Sequence, residues 1–386
     1  MTDSQLLGRL VAFDTTSTNS NLPIADFICE YLERPGVTIA RNPSADGTKA
    51  NVIVSAGQRH GDSTDAERSQ RGGLVLCGHL DVVPAGEQGW NSDAFCLTET
   101  NGTYVARGAC DMKGSVALAM NVFASAELDR LARPLVLLFT YDEELGTLGA
   151  QRFAETWPDD QALPSNVVVG EPTSLQAVRM HKGHLTMRVT VHGKSAHSGS
   201  PHLGSNAVET AARVIQAVSR LADALKRQRC ESGRFFPTVP YPVINVARIT
   251  GGTAINVIPD RCEFDLGLRL LPDMNSQAMI EWIKDVVFKS DPHVNITVEV
   301  INDSPPLLLY ERAPIHTTLC RRLNQTQSYG VSFASDAGVL QNLGFECVLF
   351  GPGSIQVAHQ PNEFVPIDEF NRARAVLEHM VEQFCY

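Results

Sequence analysis

The chain has 386 residues, 43% of them hydrophobic, which is more than one ordinary domain core holds, so two domains are expected. Its 32 Lys and Arg face 43 Asp and Glu, a net charge of -11, and such a surface repels phosphate backbones and argues against a nucleic-acid partner. No apolar run reaches the length of a membrane span, the start MTDSQLLGRL reads as a helix rather than a secretory signal, and nine cysteines without a CxxC pair point to reduced thiols in a cytoplasm.

Residues 3–34 have the periodicity of an amphipathic helix broken by the loop TTSTNSN (15–21). NVIVSA (51–56) is strand-like, and the polar, breaker-rich GQRHGDSTDAERSQRGG (57–73) is a surface loop. GLVLCGH (73–79) is a continuous apolar run, as in a strand buried on both faces. Residues 114–131 have helical period. PLVLLFTYDEE (134–144) and NVVVGEP (166–172) repeat the buried-strand pattern. Buried strands alternating with helices predict an α/β fold with a mainly parallel sheet.

The pattern then changes. HLTMRVTVHG (184–193) alternates like a half-exposed strand, followed by a helix (205–229), the loop ESGRFFPTVPYP, and strands near 243–250 and 261–271. A helix (275–290) and the strand VNITVEVI complete β-α-β-β-α-β, the order of a ferredoxin-like α+β domain. After SPPLLL the α/β pattern returns with a helix (314–326), a strand (346–351) and a helix (367–384). The predicted organisation is a small domain, 179–303, inserted into a discontinuous α/β domain, 1–178 and 304–386.

Five motifs follow buried strands or close the chain near them: GHLD (78–81), RGACDMKG (107–114), YDEELG (141–146), GEPT (170–173) and VAHQPNEF (357–364). Ligands of open parallel sheets bind at the carboxyl ends of the strands, so these motifs can converge. They bring His79, Asp81, Asp111, Glu143, Glu144, Glu171 and His359. Five carboxylates share a pocket only with a cation to neutralise them or with strongly shifted protonation. Imidazole and carboxylate without thiolate suit zinc, cobalt or manganese, and there are ligands for two ions with one carboxylate bridging. Neighbouring side chains of an extended chain point to opposite sides, so one of Glu143 and Glu144 can ligate while the other stands free as a base. Asp81, two residues from His79, can accept the second ring N–H of the imidazole.

Taken singly, each motif has an ordinary structural reading. HxD is a loop pair, DEE a solvated strand end, GEPT a turn, Asp111 a helix N-cap and His359 a surface histidine. Their convergence on one sheet edge is what argues against those readings. Gly193-Lys194-Ser195 resembles a phosphate-loop tail, but Arg188 stands where the loop needs glycine. Cys77 and Cys110 lie among acids that raise a thiol's pKa and disarm it as a nucleophile.

The five motifs resemble the di-metal amidohydrolase family of aminoacylases, glutamate carboxypeptidase, succinyl-diaminopimelate desuccinylase and acetylornithine deacetylase, over nearly the whole chain. GEPTSLQAVRMHKGH (170–184), GKSAHSGSPHLGSNAVE (193–209), FPTVPYPVINVARITGG (236–252) and GPGSIQVAHQPNEF (351–364) are similar to the deacetylase branch. The resemblance implies a zinc-peptidase-like catalytic domain with an inserted lid and dimerisation domain. It implies a first metal site of His79, Asp111 and Glu171, and a second of Asp111 as bridge, Glu144 and His359. Glu143 would be the general base acting on a metal-bridged water, Asp81 the supporting aspartate, and the Asp111–Met112 peptide cis. His197 in SAHSG matches a histidine that in dimeric members reaches the partner's active site to stabilise the oxyanion. Asn256 and Arg269 match substrate-binding residues.

The implied activity is a cytoplasmic, homodimeric hydrolase with two Zn2+ (Co2+ as substitute) that deacetylates N2-acetyl-L-ornithine in arginine biosynthesis. The alternatives are the same chemistry on acetylcitrulline, succinyl-diaminopimelate or a dipeptide, or a non-catalytic metal-dependent binding protein. FASDAG (333–338) departs from the branch's threonine–glutamate pattern, which makes Asp336, one methylene shorter, the acid expected to read a substrate amine.

Overall fold

A computed structural model describes residues 1–57, 72–86, 88–158 and 163–386. Positions 58–71 of the loop expected at 57–73 lie outside the described residues. The described chain divides into two compact units, one of Met1–Met180, Leu309–Tyr329 and Ser335–Tyr386, the other of His181–Leu308 and Gly330–Ala334. The expected boundaries stood at 178/179 and 303/304 and had no place for the short return at 330–334.

In chain order the helices are α1 (Asp3–Val11), α2 (Leu22–Leu32), α3 (Lys113–Ser125), α4 (Leu148–Thr156), α5 (Ala207–Leu225), α6 (Ser276–Ser290), α7 (Pro314–Leu323), α8 (Asp336–Asn342) and α9 (Ile367–Cys385). The main strands are β1 (Val37–Pro43), β2 (Ala50–Ala56), β3 (Leu74–His79), β4 (Leu135–Thr140), β5 (Asn166–Val169), β6 (Val178–His181), β7 (Gly183–His192), β8 (Val243–Gly251), β9 (Arg261–Leu270), β10 (Asn295–Ser304) and β11 (Glu346–Leu349).

In the first unit the sheet runs β1-β2-β4-β3-β5-β11-β6. The four central strands β4, β3, β5 and β11 are mutually parallel, and β1, β2 and β6 join antiparallel. Every residue of β3, β4 and β5 is buried, which is why these segments read as unbroken apolar runs: both faces of the sheet are covered. One cover is α3, buried almost all round and packed among β3, α1 and α9. Buried helices need no polar stripe. The helix stops at Ser125, short of the expected 131. The Ser125 hydroxyl bonds back to the carbonyls of Asn121 and Val122, and the chain leaves through a short 3₁₀ turn, Leu128–Arg130.

The second unit is the expected β-α-β-β-α-β. Its sheet, in the order β8-β9-β7-β10, is antiparallel throughout. α5 and α6 bury Val214, Val218, Ile280 and Ile283 against inward residues Met187, Val189, Phe264 and Leu266. Asn206 caps α5 by accepting from the Val208 and Glu209 amides, and Asn275 caps α6 through Ala278. Among the described residues no helix is long and apolar enough to cross a membrane.

Candidate metal centre

The parallel strands end where the motifs begin. β3 ends on His79, β4 runs into Tyr141–Glu144 and β5 into Gly170–Glu171. β11 leads to the loop that carries His359. Asp111 lies just ahead of α3, and the Asp111–Met112 peptide is cis. Close packing at this edge requires glycine: a Cβ on Gly170 would lie 2.5 Å from the Ser115 Cβ and 2.7 Å from the Met112 Cε. Among the non-glycine residues with left-handed backbone are Asp142 (φ 51°) and His359 (φ 61°), an uncommon conformation that turns the chain sharply.

Two clusters of potential ligands result, His79–Asp111–Glu171 and Asp111–Glu144–His359, each with its ligand atoms within 4.8 Å of one another. His79 Nε2 lies 3.0 Å from Asp111 Oδ1 and His359 Nε2 3.3 Å from Asp111 Oδ2. His359 Nε2 is 2.9 Å from Glu144 Oε1. Two ligands each about 2 Å from one tetrahedral ion stand roughly 3.3 Å apart, so the donor set and its spacing fit small divalent cations. The two oxygens of Asp111 face the two histidines, one in each cluster, as a bridging carboxylate would.

Glu143 belongs to neither cluster. Glu143 and Glu144 lie past the end of β4, at the start of a turn in which the Gly146 and Thr147 amides both donate to the Glu143 carbonyl at 2.8 Å, and not in the extended strand expected from sequence. Asp81 also works differently from the expectation. His79 Nδ1 meets the backbone carbonyl of Asp81 at 2.9 Å, while the carboxylate stands 3.6 Å away. That carboxylate instead accepts the amides of Glu143 and Glu144 and the hydroxyl of Ser17. Asp81 therefore fixes the ring through its main chain and the two glutamates through its side chain. Lys49 completes the brace: its Nζ lies 2.6 Å from both oxygens of Asp142 and donates to the Ser17 carbonyl. Sequence reasoning missed Ser17 and Lys49, which lie far from the motifs along the chain and carry no spacing signal.

Charge concentration shifts the protonation equilibria. Burial, then repulsion from neighbouring acids, raises Glu143 and Glu171 well above the usual carboxylate range and raises Glu144 less. Burial also acts to raise Asp111, but hydrogen bonds with His359 and His79 outweigh it and hold this carboxyl low. The Asp111 and Glu144 carboxylates push His359 up to about 10. A bound divalent cation reverses this logic by favouring the deprotonated ligands. The Cys77 and Cys110 thiols are pushed well up by burial and adjacent acids, which suits fillers and not nucleophiles.

Asp336 is 2% exposed. Its Oδ2 accepts the Thr140 hydroxyl at 2.5 Å, and burial raises its pKa to about 6. The acid expected to read a substrate amine is thus buried, with Oδ2 on Thr140 and Oδ1 without a hydrogen-bond partner among the described residues.

The remaining expected residues lie in the second unit. His197 and Asn256 come together: Ala196–His197 pairs with Val257–Ile258, and the Ser198 amide donates to the Asn256 carbonyl. His197 is exposed, and its Nδ1 accepts the Gly199 amide at 3.0 Å, which leaves the proton on Nε2. Arg269 stands across from His184 in the β9–β7 ladder. Burial first, and Arg269 after it, lower His184 and His181 to about 4 and Lys182 to about 8, so the two imidazoles are neutral at neutral pH.

Fold and site define a metal-dependent hydrolase, with its ligands on loops at the carboxyl edge of a parallel sheet. Comparison with known proteins agrees. The profile of peptidase family M20/M25/M40 matches residues 75–383. Acetylornithine deacetylase of Myxococcus xanthus is 35% identical over 385 residues, 98% of this chain and 96% of that protein. Acetylornithine deacetylase of Proteus mirabilis (strain HI4320) is 33% identical over 379 residues, 97% of this chain and 93% of that one. The crystal structure of the M20 family metallo-carboxypeptidase Sso-CP2 from Sulfolobus solfataricus superposes with a TM-score of 0.77 at 18% identity, covering 99% of each chain. The chain belongs to peptidase family M20/M25/M40.

Proposed function

We propose that this chain hydrolyses N2-acetyl-L-ornithine to acetate and L-ornithine. The reading is carried by one observation, the two ligand clusters that share Asp111 with an uncommitted glutamate beside them. The names of the two relatives at 33–35% identity favour the substrate. His79, Asp111 and Glu171 would hold one cation and Asp111, Glu144 and His359 the other, with zinc or cobalt suited to nitrogen and oxygen donors. Bound there, such cations acidify a water and polarise the amide carbonyl.

The chain's own groups supply the rest. The Glu143 carboxylate takes the proton of the attacking water and delivers it to the amine as the C–N bond breaks. Its raised pKa suits a group that must both accept and give up a proton. Asp81 keeps Glu143 and Glu144 in register through their amides. His197 of the partner subunit would offer Nε2–H to the oxyanion, Arg269 would attract the substrate carboxylate, and Asn256 would bind the substrate. The second unit would serve as lid and homodimer contact, and the protein would work in the cytoplasm in arginine biosynthesis.

A second reading, the same chemistry on acetylcitrulline, succinyl-diaminopimelate or a dipeptide, is favoured by the burial of Asp336, which keeps the acid expected to read an ornithine amine away from solvent. The deciding experiment measures the free amine released from each substrate, together with acetate from the acetyl and succinate from the succinyl compounds, by chelated protein and after adding zinc or cobalt. Metal-dependent turnover fastest on acetylornithine is the expected result. Faster turnover of another substrate overturns the substrate assignment alone, and cation binding without hydrolysis of any overturns the enzyme assignment.

A further inference from the structure

Glu363 is part of neither ligand cluster, yet it is 1% exposed and its carboxylate meets four donors. Oε1 accepts the amides of Cys110 and Asp111, both at 2.9 Å. Oε2 accepts the Gly108 amide at 3.0 Å and Arg107 Nη1 at 2.9 Å. An ionised carboxylate offers about four acceptor positions, so this one is saturated. Three of the donors are backbone amides of the segment that ends on Asp111. Arg107 donates in turn to the Gln360 carbonyl, one residue after His359. The segments 107–111 and 359–363 are thereby joined through buried, charge-assisted bonds, which are stronger than neutral ones.

We propose that Glu363 is the positioning residue for the shared ligand: it sets Asp111 and His359 against each other before a cation arrives. Asp111–Glu144–His359 draws two of its three ligands from the joined segments, and His79–Asp111–Glu171 draws one. Loss of Glu363 therefore weakens cation binding chiefly at the cluster containing His359. The inference rests on the reading that these clusters hold cations. Groups that orient metal ligands commonly change metal affinity about 10–100-fold when removed.

Zinc titration of the chelated full chain by calorimetry tests this, with His359→Ala marking the binding step that belongs to its cluster. Glu363→Gln, which turns one acceptor into a donor facing N–H groups, is expected to weaken that step about 10–100-fold and the other step several-fold less. Glu363→Asp keeps a charge for Arg107 but falls one methylene short of the Asp111 amide. It is expected to unfold near the native temperature in chelator and still to lose affinity. Native affinities in Glu363→Asp would mean that Glu363 is only a counter-ion for Arg107, and the proposal fails.

A measurement on the unmodified chain needs no variant to fold. In chelated protein, hydrogen exchange at the Cys110 and Asp111 amides is expected to stay slow. Exchange there at the rate of an open loop would show that Glu363 does not hold Asp111. If the native chain takes up no zinc, the metal reading fails, while the exchange result still decides what Glu363 does.

Discussion

At the residue scale, the proposed mechanism depends on Glu143, which stands outside both ligand clusters. Glu143→Gln leaves both ligand clusters intact and removes the only proposed proton carrier. The variant is expected to retain its full zinc content by elemental analysis while kcat falls about 10²–10⁴-fold, the usual contribution of a general base. Near-native turnover in that variant would remove Glu143 from the mechanism. Lys49 acts one step further back. Its ammonium, 12% exposed, faces Asp142, 9% exposed, and breaking one side of a buried pair costs about 3–5 kcal/mol. Lys49→Met is expected to approach the lower end of that range in urea unfolding, because the pair is partly wetted.

At the scale of elements, the central sheet bears the stability. Leu137 of β4 is fully buried in the main core, and Leu137→Ala is expected to cost about 2–5 kcal/mol, read from the shift of the urea midpoint. The central strands were legible in the sequence because burial on both faces erases alternation; LVLCGH and LVLLFT can be little else. β1 was not, since VTIARNP is a part-exposed edge strand with charge within it. α4 and α8 also escaped notice. They are 9 and 7 residues long, too short for helical periodicity to emerge. In the site, the motif side chains that meet in the two clusters were readable. Those whose partners are backbone groups were not: Glu363 answers to amides, and the partner of His79 Nδ1 is a carbonyl. A hydrogen bond to main chain places no demand on the identity of the residue that receives it.

At the scale of the whole molecule, protons and cations compete for one ligand set. His359 is raised to about 10 from its ordinary 6.5. Its proton therefore stabilises the folded chelated protein fully below 6.5, and that contribution is lost as the pH climbs through about 10. Glu143, Glu144 and Glu171, raised above the ordinary carboxylate value, act in the same sense from about 4.5 upward. A group outside both clusters that is lowered instead, His181 to about 4, contributes alike with and without cation and cancels in the difference. The gain in melting temperature on adding zinc is thus expected to grow as the pH rises from 5 to 9. Binding at pH 8 is expected to release more than one proton, measured by calorimetry in buffers of different ionisation enthalpy. A gain independent of pH would mean that the titrating clusters are not where zinc binds.

The ligands also have an order in time. His79, Asp111 and Glu171 all lie within the first 171 residues, whereas Glu144 has to wait for His359, which is encoded after the whole second unit. A chain emerging from the ribosome thus carries three ligands of one cluster long before it can assemble the other. During that interval it also lacks Glu363, whose bonds hold Asp111 in the finished protein. Order along the chain would thus let the first cluster gather before the second, with Glu363 among the later groups to reach the shared aspartate.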